Sequence, residues 1–155
     1  MRTADIMTTR TFTIDSSATV AEAIGLMQDN KVRSLIVKPS EDRAYGIVTE
    51  TDIIYKVATK YIDPKTVMVY QIMTKPCIAI DPNLNLKNVA QLFAKIETSP
   101  APVIQEHLLK IISVTDLLIK SNTSSRFANS ILGVANLKDD IFNVTVQSCV
   151  AFAPA

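Results

Sequence analysis

Two short stretches of the chain place an acidic residue three positions after a hydroxyl, at Thr49-x-x-Asp52 and at Ser113-x-x-Asp116. Apolar residues precede the hydroxyl and follow the acid, which is typical of a buried strand that runs into a helix. A hydroxyl at the N-cap accepts a hydrogen bond from the first turn, and the acid favours the positive end of the helix dipole. One copy would indicate a helix start and nothing more. Two copies at matching points of the chain also favour a functional site.

The chain is internally duplicated. The triplet Ile6–Thr8 returns as Ile72–Thr74, 66 residues later. Asp52 returns as Asp116 after 64 residues, so the second copy lacks two residues within 103–113. A hairpin turn tolerates a deletion of this size better than a core element does. Two copies are too few for a solenoid, so we predict that they pack on each other about a pseudo-twofold axis.

The hydrophobic pattern predicts the same order of elements in both copies: strand, helix, strand, strand, helix. The first helix is indicated by the apolar spacing of Val20, Ala23, Ile24 and Met27 behind a cap candidate at Thr19. The predicted strands are 11–14, 34–37 and 45–48 in the first copy and 77–80, 100–104 and 110–112 in the second. The predicted helices are 20–30, 51–61, 86–96 and 115–120.

The chain divides into a first repeat (1–62), a linker (63–70), a second repeat (71–121) and a C-terminal extension (122–155). Asp63-Pro64 ends the helix before the linker, because the residue before proline disfavours helical geometry. In the extension, Phe127–Val134 predict a short amphipathic helix and 141–150 alternate like a strand. The extension is either an arm that packs on a partner subunit or a mobile tail.

Composition excludes several classes of function. A chain of 155 residues with 48% hydrophobic residues can bury one core or two small ones. The net charge is +1 without a run of Lys or Arg, so no nucleic-acid partner is expected. No apolar stretch can span a bilayer and the N-terminus lacks a signal-peptide core, so we expect a cytoplasmic protein without membrane contact. Cys77, Cys149 and His107 lack metal-ligand spacing, so no metal is expected.

Four motifs together resemble one known family. Asp5–Thr8 and Gln71–Thr74 open the two repeats, and Gly46–Asp52 and Ile111–Asp116 close them. This ordered set, over roughly the first 120 of 155 residues, resembles a tandem pair of cystathionine-β-synthase (CBS) domains, a Bateman module. The resemblance implies an α/β (α+β) fold of two βαββα repeats, a homodimer, and regulation without catalysis. It implies an adenine-containing ligand such as AMP, ADP, ATP or S-adenosylmethionine, and no other cofactor.

In this family the ligand lies between the repeats, and the aspartate of each motif would hold its ribose. A carboxylate accepts hydrogen bonds from both vicinal hydroxyls, so Asp52 and Asp116 would select a ribose over a deoxyribose. The hydroxyls of each motif would hold ribose or phosphate oxygens at the helix start. The resemblance implies an Asp116 site with Ser113, Thr115, Thr8, Thr13, Val32, Arg33 and Ser34. It implies an Asp52 site with Thr49, Thr51, Thr74, Ala79 and the corner Thr98-Ser99-Pro100.

The chain departs from the family pattern at two places. Lys110 stands where a glycine is expected before the second motif, and Ser99 stands where the first copy has the basic Arg33. We therefore expect unequal sites, with Asp116 the better one for a phosphorylated ligand, although Arg33 is equally compatible with a solvated turn. The leading hypothesis is a module that senses an adenine nucleotide and modulates a partner protein. The alternative is a ligand-free scaffold for dimerisation or interaction, and an enzyme is not expected.

Overall fold

The computed structural model describes residues 2–8, 10–41, 44–75, 77–96, 99–105, 108–120 and 147–148. In chain order, its helices and strands are α1 (Thr3–Ile6), β1 (Thr13–Ile14), α2 (Val20–Asn30), β2 (Ser34–Val37), β3 (Gly46–Thr49), α3 (Glu50–Lys56), β4 (Ile78–Ala79), α4 (Leu86–Ile96), β5 (Ala101–Gln105), β6 (Leu108–Ile112), α5 (Val114–Lys120) and β7 (Gln147–Ser148). Two 3-10 turns, Ala58–Lys60 and Val69–Gln71, follow α3. Both repeats have the predicted strand, helix, strand, strand, helix order, which confirms the mixed α and β fold of two repeats.

The opening segment of each repeat folds with the other repeat. Thr11–Cys77 belong to one compact unit, here the first-repeat unit, while Met1–Arg10 join the stretch that begins at Ile78 in the second-repeat unit. Thr8 forms an antiparallel bridge with Ile111 of β6, and Thr74 forms the equivalent bridge with Ile47 of β3. Each unit is therefore a composite of both sequence repeats.

In the first-repeat unit, a three-stranded sheet carries the two helices α2 and α3. β1 pairs in parallel with β2, and β2 pairs antiparallel with β3 in the register Leu35 to Val48. α2 begins at Thr19, which forms a capping box with Glu22, and ends before Lys31 in the left-handed conformation. Its buried face packs into a core of Ile14, Val20, Ala23, Met27, Leu35, Val37, Val48, Ile53, Val57, Val69 and Ile72.

The second-repeat unit has the same plan. β5 and β6 form an antiparallel ladder of five residue pairs. Lys110 pairs with Val103 in this ladder as Gly46 pairs with Val37 in the other, so the shortened hairpin keeps its strand pairing. α1 lies against this unit through Thr3, whose N–H donates to Leu84 O at 2.8 Å. The core consists of Ile6, Met7, Ile80, Leu86, Val89, Leu92, Phe93, Ala101, Val103, Ile112 and Leu117.

The C-terminal extension is described only at Gln147–Ser148, which form β7. These two residues fall within the strand predicted for 141–150. The helix predicted for Phe127–Val134 lies outside the described residues.

Gly46→Ala should destabilise the protein because β3 lies close to the opening segment of the second repeat. An added Cβ would lie 2.9 Å from Met73 Sδ and 3.2 Å from Thr74 O. Overpacking of this kind costs about 1–3 kcal/mol, which a urea unfolding titration measures directly. Gly25→Ala is the matched control, since among the described residues no atom outside its own helical surroundings lies within 4 Å of its added Cβ. In the interior of α2 that change should instead raise the free energy of unfolding by about 0.5–1 kcal/mol. Equal effects of the two substitutions would contradict the close approach at Gly46.

Candidate functional site

Both aspartates of the duplicated motif lie at the start of a short helix and bond back to their own N-cap residue. Thr49 Oγ1 accepts the N–H of Asp52 at 3.2 Å. In return, Asp52 Oδ2 accepts the N–H and the hydroxyl of Thr49, each at 3.0 Å. Ser113 and Asp116 repeat this box, with both bonds to Asp116 Oδ2 at 2.9 Å. The helix-start interpretation of the motif is thus observed in both copies, and it uses one carboxylate oxygen in each.

The second oxygen of each aspartate forms an ion pair with a lysine one helical turn later. Lys56 Nζ lies 2.9 Å from Asp52 Oδ1, and Lys120 Nζ lies 2.7 Å from Asp116 Oδ1. The side chains of the aspartates are 14% and 9% exposed, whereas those of the lysines are 44% and 43% exposed. Each ion pair therefore joins a largely buried acid to a base that still reaches solvent.

The same lysines also contact the opening segments. Lys56 Nζ donates to Ile72 O at 2.8 Å, and Lys120 Nζ donates to Thr8 Oγ1 at 2.8 Å. Ile72 and Thr8 belong to the corresponding triplets 72–74 and 6–8 of the duplication. One ammonium group in each copy thus links the carboxylate to the segment that opens the other repeat.

The two carboxylates differ by one hydrogen bond. Thr8 Oγ1 donates to Asp116 Oδ1 at 3.0 Å, so Asp116 accepts four contacts from the described residues. A carboxylate has about four acceptor positions, and those of Asp116 are therefore filled. Asp52 accepts three contacts from the described residues. Thr74, the counterpart of Thr8, is exposed and exchanges main-chain hydrogen bonds with Ile47.

The structure brings together part of each predicted site. Around Asp116 the second-repeat unit places Ser113 and Thr8, with Thr115 exposed on α5. Around Asp52 the first-repeat unit places Thr49, whose Oγ1 also lies 3.0 Å from Thr51 Oγ1. Thr74 also lies in the first-repeat unit, bonded to β3.

Each of the remaining predicted residues belongs to a different unit from the aspartate to which it was assigned. Of those assigned to Asp116, Arg33 and Thr13 are exposed, Val32 is half-buried and Ser34 is buried in β2, all in the first-repeat unit. Of those assigned to Asp52, Ala79 lies half-buried in β4 of the second-repeat unit, and Ser99 Oγ there accepts the N–H of Val114 at 2.9 Å. Pro100 is half-buried in that unit and Thr98 lies outside the described residues. Their part in a shared site stays a prediction.

Sequence reasoning missed the two lysines. Lys120 follows Lys56 by 64 residues, the same interval that separates the two aspartates. The signal was a base four residues after an acid on a predicted helix, repeated in register. Single pairs at that spacing are common on helix surfaces, so only their repetition could have singled them out.

Two other kinds of feature are absent from the described residues: a cluster of metal ligands and a membrane-spanning helix. Within this part of the chain, no group of three or more His, Cys, Asp or Glu side chains could hold a metal ion. Cys77 is buried, and His107 and Cys149 lie outside the described residues. None of the described helices is long and apolar enough to cross a membrane.

Comparison with known proteins identifies the family. The profile of the CBS domain matches residues 4–59 and again 69–122. The chain belongs to the CBS-domain family. The CBS domain-containing protein YhcV of Bacillus subtilis is 24% identical over 133 residues, 85% of this chain and 94% of YhcV. Hypoxic response protein 1 of Mycobacterium tuberculosis is 25% identical over 114 residues, 73% of this chain and 80% of that protein.

A solved structure is similar to this CBS pair at higher identity. It is a hexameric CBS-CP12 protein from bloom-forming cyanobacteria, 52% identical with a TM-score of 0.75. The match covers 79% of this chain and 72% of that chain. The tandem CBS architecture inferred from the four motifs is thereby confirmed.

Asp116→Ala should cost more stability than Asp52→Ala, because Asp116 satisfies one donor more and is the more buried side chain. Unsatisfied donors left behind cost roughly 1–3 kcal/mol, so we expect losses of about 2 kcal/mol for Asp116→Ala and about 1 kcal/mol for Asp52→Ala. Urea unfolding titrations of the two variants provide the comparison. A larger loss for Asp52→Ala would be inconsistent with these hydrogen bonds.

Proposed function

We propose that this CBS pair senses an adenine nucleotide of the AMP, ADP or ATP type and modulates a partner protein. The observation that carries the proposal is the repeated carboxylate: Asp52 and Asp116 occupy the same strand-to-helix junction in the two copies. The cap of its own helix fixes each side chain through Oδ2. Regulation without catalysis is supported by the relatives, since YhcV and hypoxic response protein 1 match over most of their length and neither is named as an enzyme.

A ligand that contains a ribose is supported by Oδ1, the carboxylate oxygen that each helix cap does not use. The vicinal hydroxyls of a ribose are two neighbouring donors, and a fixed carboxylate can accept both. A deoxyribose has one donor fewer at the same place. On this proposal, a ligand at Asp116 would also contact Thr13, Val32, Arg33 and Ser34. A ligand at Asp52 would also contact Thr74 and Ala79. Arg33 would supply the charge for a phosphate.

A second candidate function is a ligand-free scaffold. It is favoured by the filled acceptor positions of Asp116, because a carboxylate that is already satisfied has a complete structural role. On this hypothesis the duplicated motif caps two helices and binds nothing. The two candidates differ in whether the protein responds to nucleotides.

An adenine nucleotide should stabilise the protein if the leading proposal is correct. AMP, ADP or ATP at 100 times its dissociation constant should add roughly 2.7 kcal/mol to the free energy of unfolding, measured as a higher Tm by differential scanning fluorimetry. The double variant Asp52→Asn, Asp116→Asn should lose this response, because the helix cap needs the one amide oxygen and the amide nitrogen left at the Oδ1 position cannot accept a ribose hydroxyl.

The matched ligand control is 2′-deoxy-AMP, which differs from AMP by one hydroxyl. It should produce a smaller shift at the same concentration. Equal shifts from AMP and its deoxy analogue, or a full response in the double variant, would refute the ribose contact. A Tm that no adenine nucleotide changes would favour the scaffold.

We also propose that the chain self-associates in the cytoplasm, with a homodimer as the basic assembly. α5 exposes Val114, Leu118 and Ile119 at 52%, 79% and 70%. In the first-repeat unit, Ile54 and Tyr55 are exposed and line an open apolar cavity of about 520 Å³ between α2 and α3. Large apolar side chains clustered on helices are typical of an interaction surface. The hexameric state named for the CBS-CP12 protein supports self-association.

Light scattering after size-exclusion chromatography tests this assembly. The wild-type protein should elute with a mass that is a multiple of the chain mass, and Leu118→Asp should lower it, because a charge on α5 opposes burial of its apolar face. Ser17→Asp, which adds the same charge at another exposed position, should leave the mass unchanged. A wild-type protein that is monomeric at all concentrations would contradict the proposal.

A further inference from the structure

Both aspartates are occupied by a lysine of their own helix. Lys56 and Lys120 stand four residues after Asp52 and Asp116, and each places its Nζ within 3 Å of Oδ1. The lysine is thus a repeated part of the motif, written Thr/Ser-x-x-Asp-x-x-x-Lys in this chain. It occupies the carboxylate oxygen that the proposed ribose contact requires.

The lysine is the contact that a ligand can displace. The bonds to Oδ2 come from the N-cap residue: Thr49 ends β3, where it pairs with Ser34, and Ser113 directly follows β6. Among the described donors to Oδ1 of Asp116, Thr8 is tied to β6 by its main chain, whereas the Lys120 side chain is 43% exposed on a flexible stem. An ammonium group that leaves the carboxylate for water regains hydration, so its removal is the least costly of the available changes.

We infer that Lys56 and Lys120 compete with the ligand for Oδ1 of Asp52 and Asp116 and thereby set its affinity. The inference rests on the proposed adenine-nucleotide function. A ligand that brings both vicinal hydroxyls replaces the single lysine contact at Oδ1 with one of them. At Asp52 its other hydroxyl can use the acceptor position that no described residue fills. A ligand with one hydroxyl replaces only the lysine contact. The lysine thus lowers the affinity for every ligand that needs Oδ1, because each must first displace it.

A phosphate-binding role for the same lysines makes the opposite prediction. If the ammonium group attracted the nucleotide phosphates, its removal would weaken binding. If it competes for the carboxylate, its removal strengthens binding. The sign of the change in Kd therefore separates the two roles.

The experiment is isothermal titration of the intact protein with AMP and with ATP. Lys56→Met and Lys120→Met keep the apolar stem and remove the charge, and Asp116 retains three contacts in the second of them. At least one of the two variants should bind with a Kd lowered about fivefold, the factor expected when a partly exposed ion pair no longer has to be broken. Lys95→Met removes an exposed charge from α4 and should bind like wild type.

Rescue by a conservative variant completes the test. Lys56→Arg and Lys120→Arg retain the ion pair and should keep the wild-type Kd within about twofold. Binding by wild type with an unchanged or higher Kd in both Lys→Met variants overturns the competing role and leaves the proposed function standing. Binding of AMP or ATP by the Lys→Met variants alone supports both. Binding by none of the proteins overturns the proposed function and, with it, this inference.

Discussion

The hydrogen-bonded box between an N-cap hydroxyl and the aspartate three residues later determines how each repeat passes from sheet to helix. α3 and α5 have only seven residues each, a length at which an isolated helix is not stable in water. The cap satisfies donors that a helix start would otherwise leave without partners. The cap also sets the direction of the helix, so that the residue after the aspartate, Ile53 or Leu117, is buried in the core of its unit. The aspartate is therefore structural before it can be functional.

The two oxygens of each carboxylate have different partners. Oδ2 holds the helix cap, and Oδ1 holds a lysine that also contacts an opening segment. Because the lysine bridges both, displacement from Oδ1 would also loosen its contact with Ile72 or Thr8. Occupancy of the carboxylate is thus coupled to the segment through which one repeat folds with the other. A regulatory module needs such a coupling between ligand and conformation.

The sequence predicted those elements whose ends are encoded locally. α2 was predicted at 20–30 and found at Val20–Asn30, because Thr19 caps its start and Lys31 adopts the left-handed conformation that ends it. The helix predicted for 51–61 ends at Lys56 instead. Val57 leaves helical geometry, with φ −122° and ψ −62°, and its side chain is buried in the core. That early end comes from tertiary packing, which no local pattern encodes.

The candidate site was predictable to the same extent. The contact of Asp52 with Thr49 spans three residues and follows from the capping pattern alone. Thr8 and Asp116 lie 108 residues apart, and only the resemblance to CBS pairs placed them in one site. That each opening segment folds with the other repeat depends on bridges such as Thr8 to Ile111, whose partners are distant in sequence. Such pairings form only when the sheet assembles, so they cannot be predicted from the hydrophobic pattern of either segment.

The observed contacts of the two aspartates differ by a single hydroxyl, a difference separate from the expected inequality, which concerns Arg33 and Ser99. Thr8 turns its Oγ1 to Asp116, whereas the described bonds of its counterpart Thr74 with β3 are main-chain bonds. Asp116 is in consequence the more fully satisfied and the less exposed carboxylate, at 9% against 14%. With its lysine displaced, Asp116 would offer a ligand about one open acceptor position and Asp52 about two, because Thr8 also donates to Asp116. The predicted preference for the Asp116 site concerns the phosphate end of a ligand, where Arg33 would supply a charge. The Asp52 site would therefore be the better one for the sugar and the Asp116 site the better one for the phosphate. The duplicated motif has thus diverged: Asp52 is the more exposed carboxylate, and Asp116 is the one whose predicted partners include the cation Arg33.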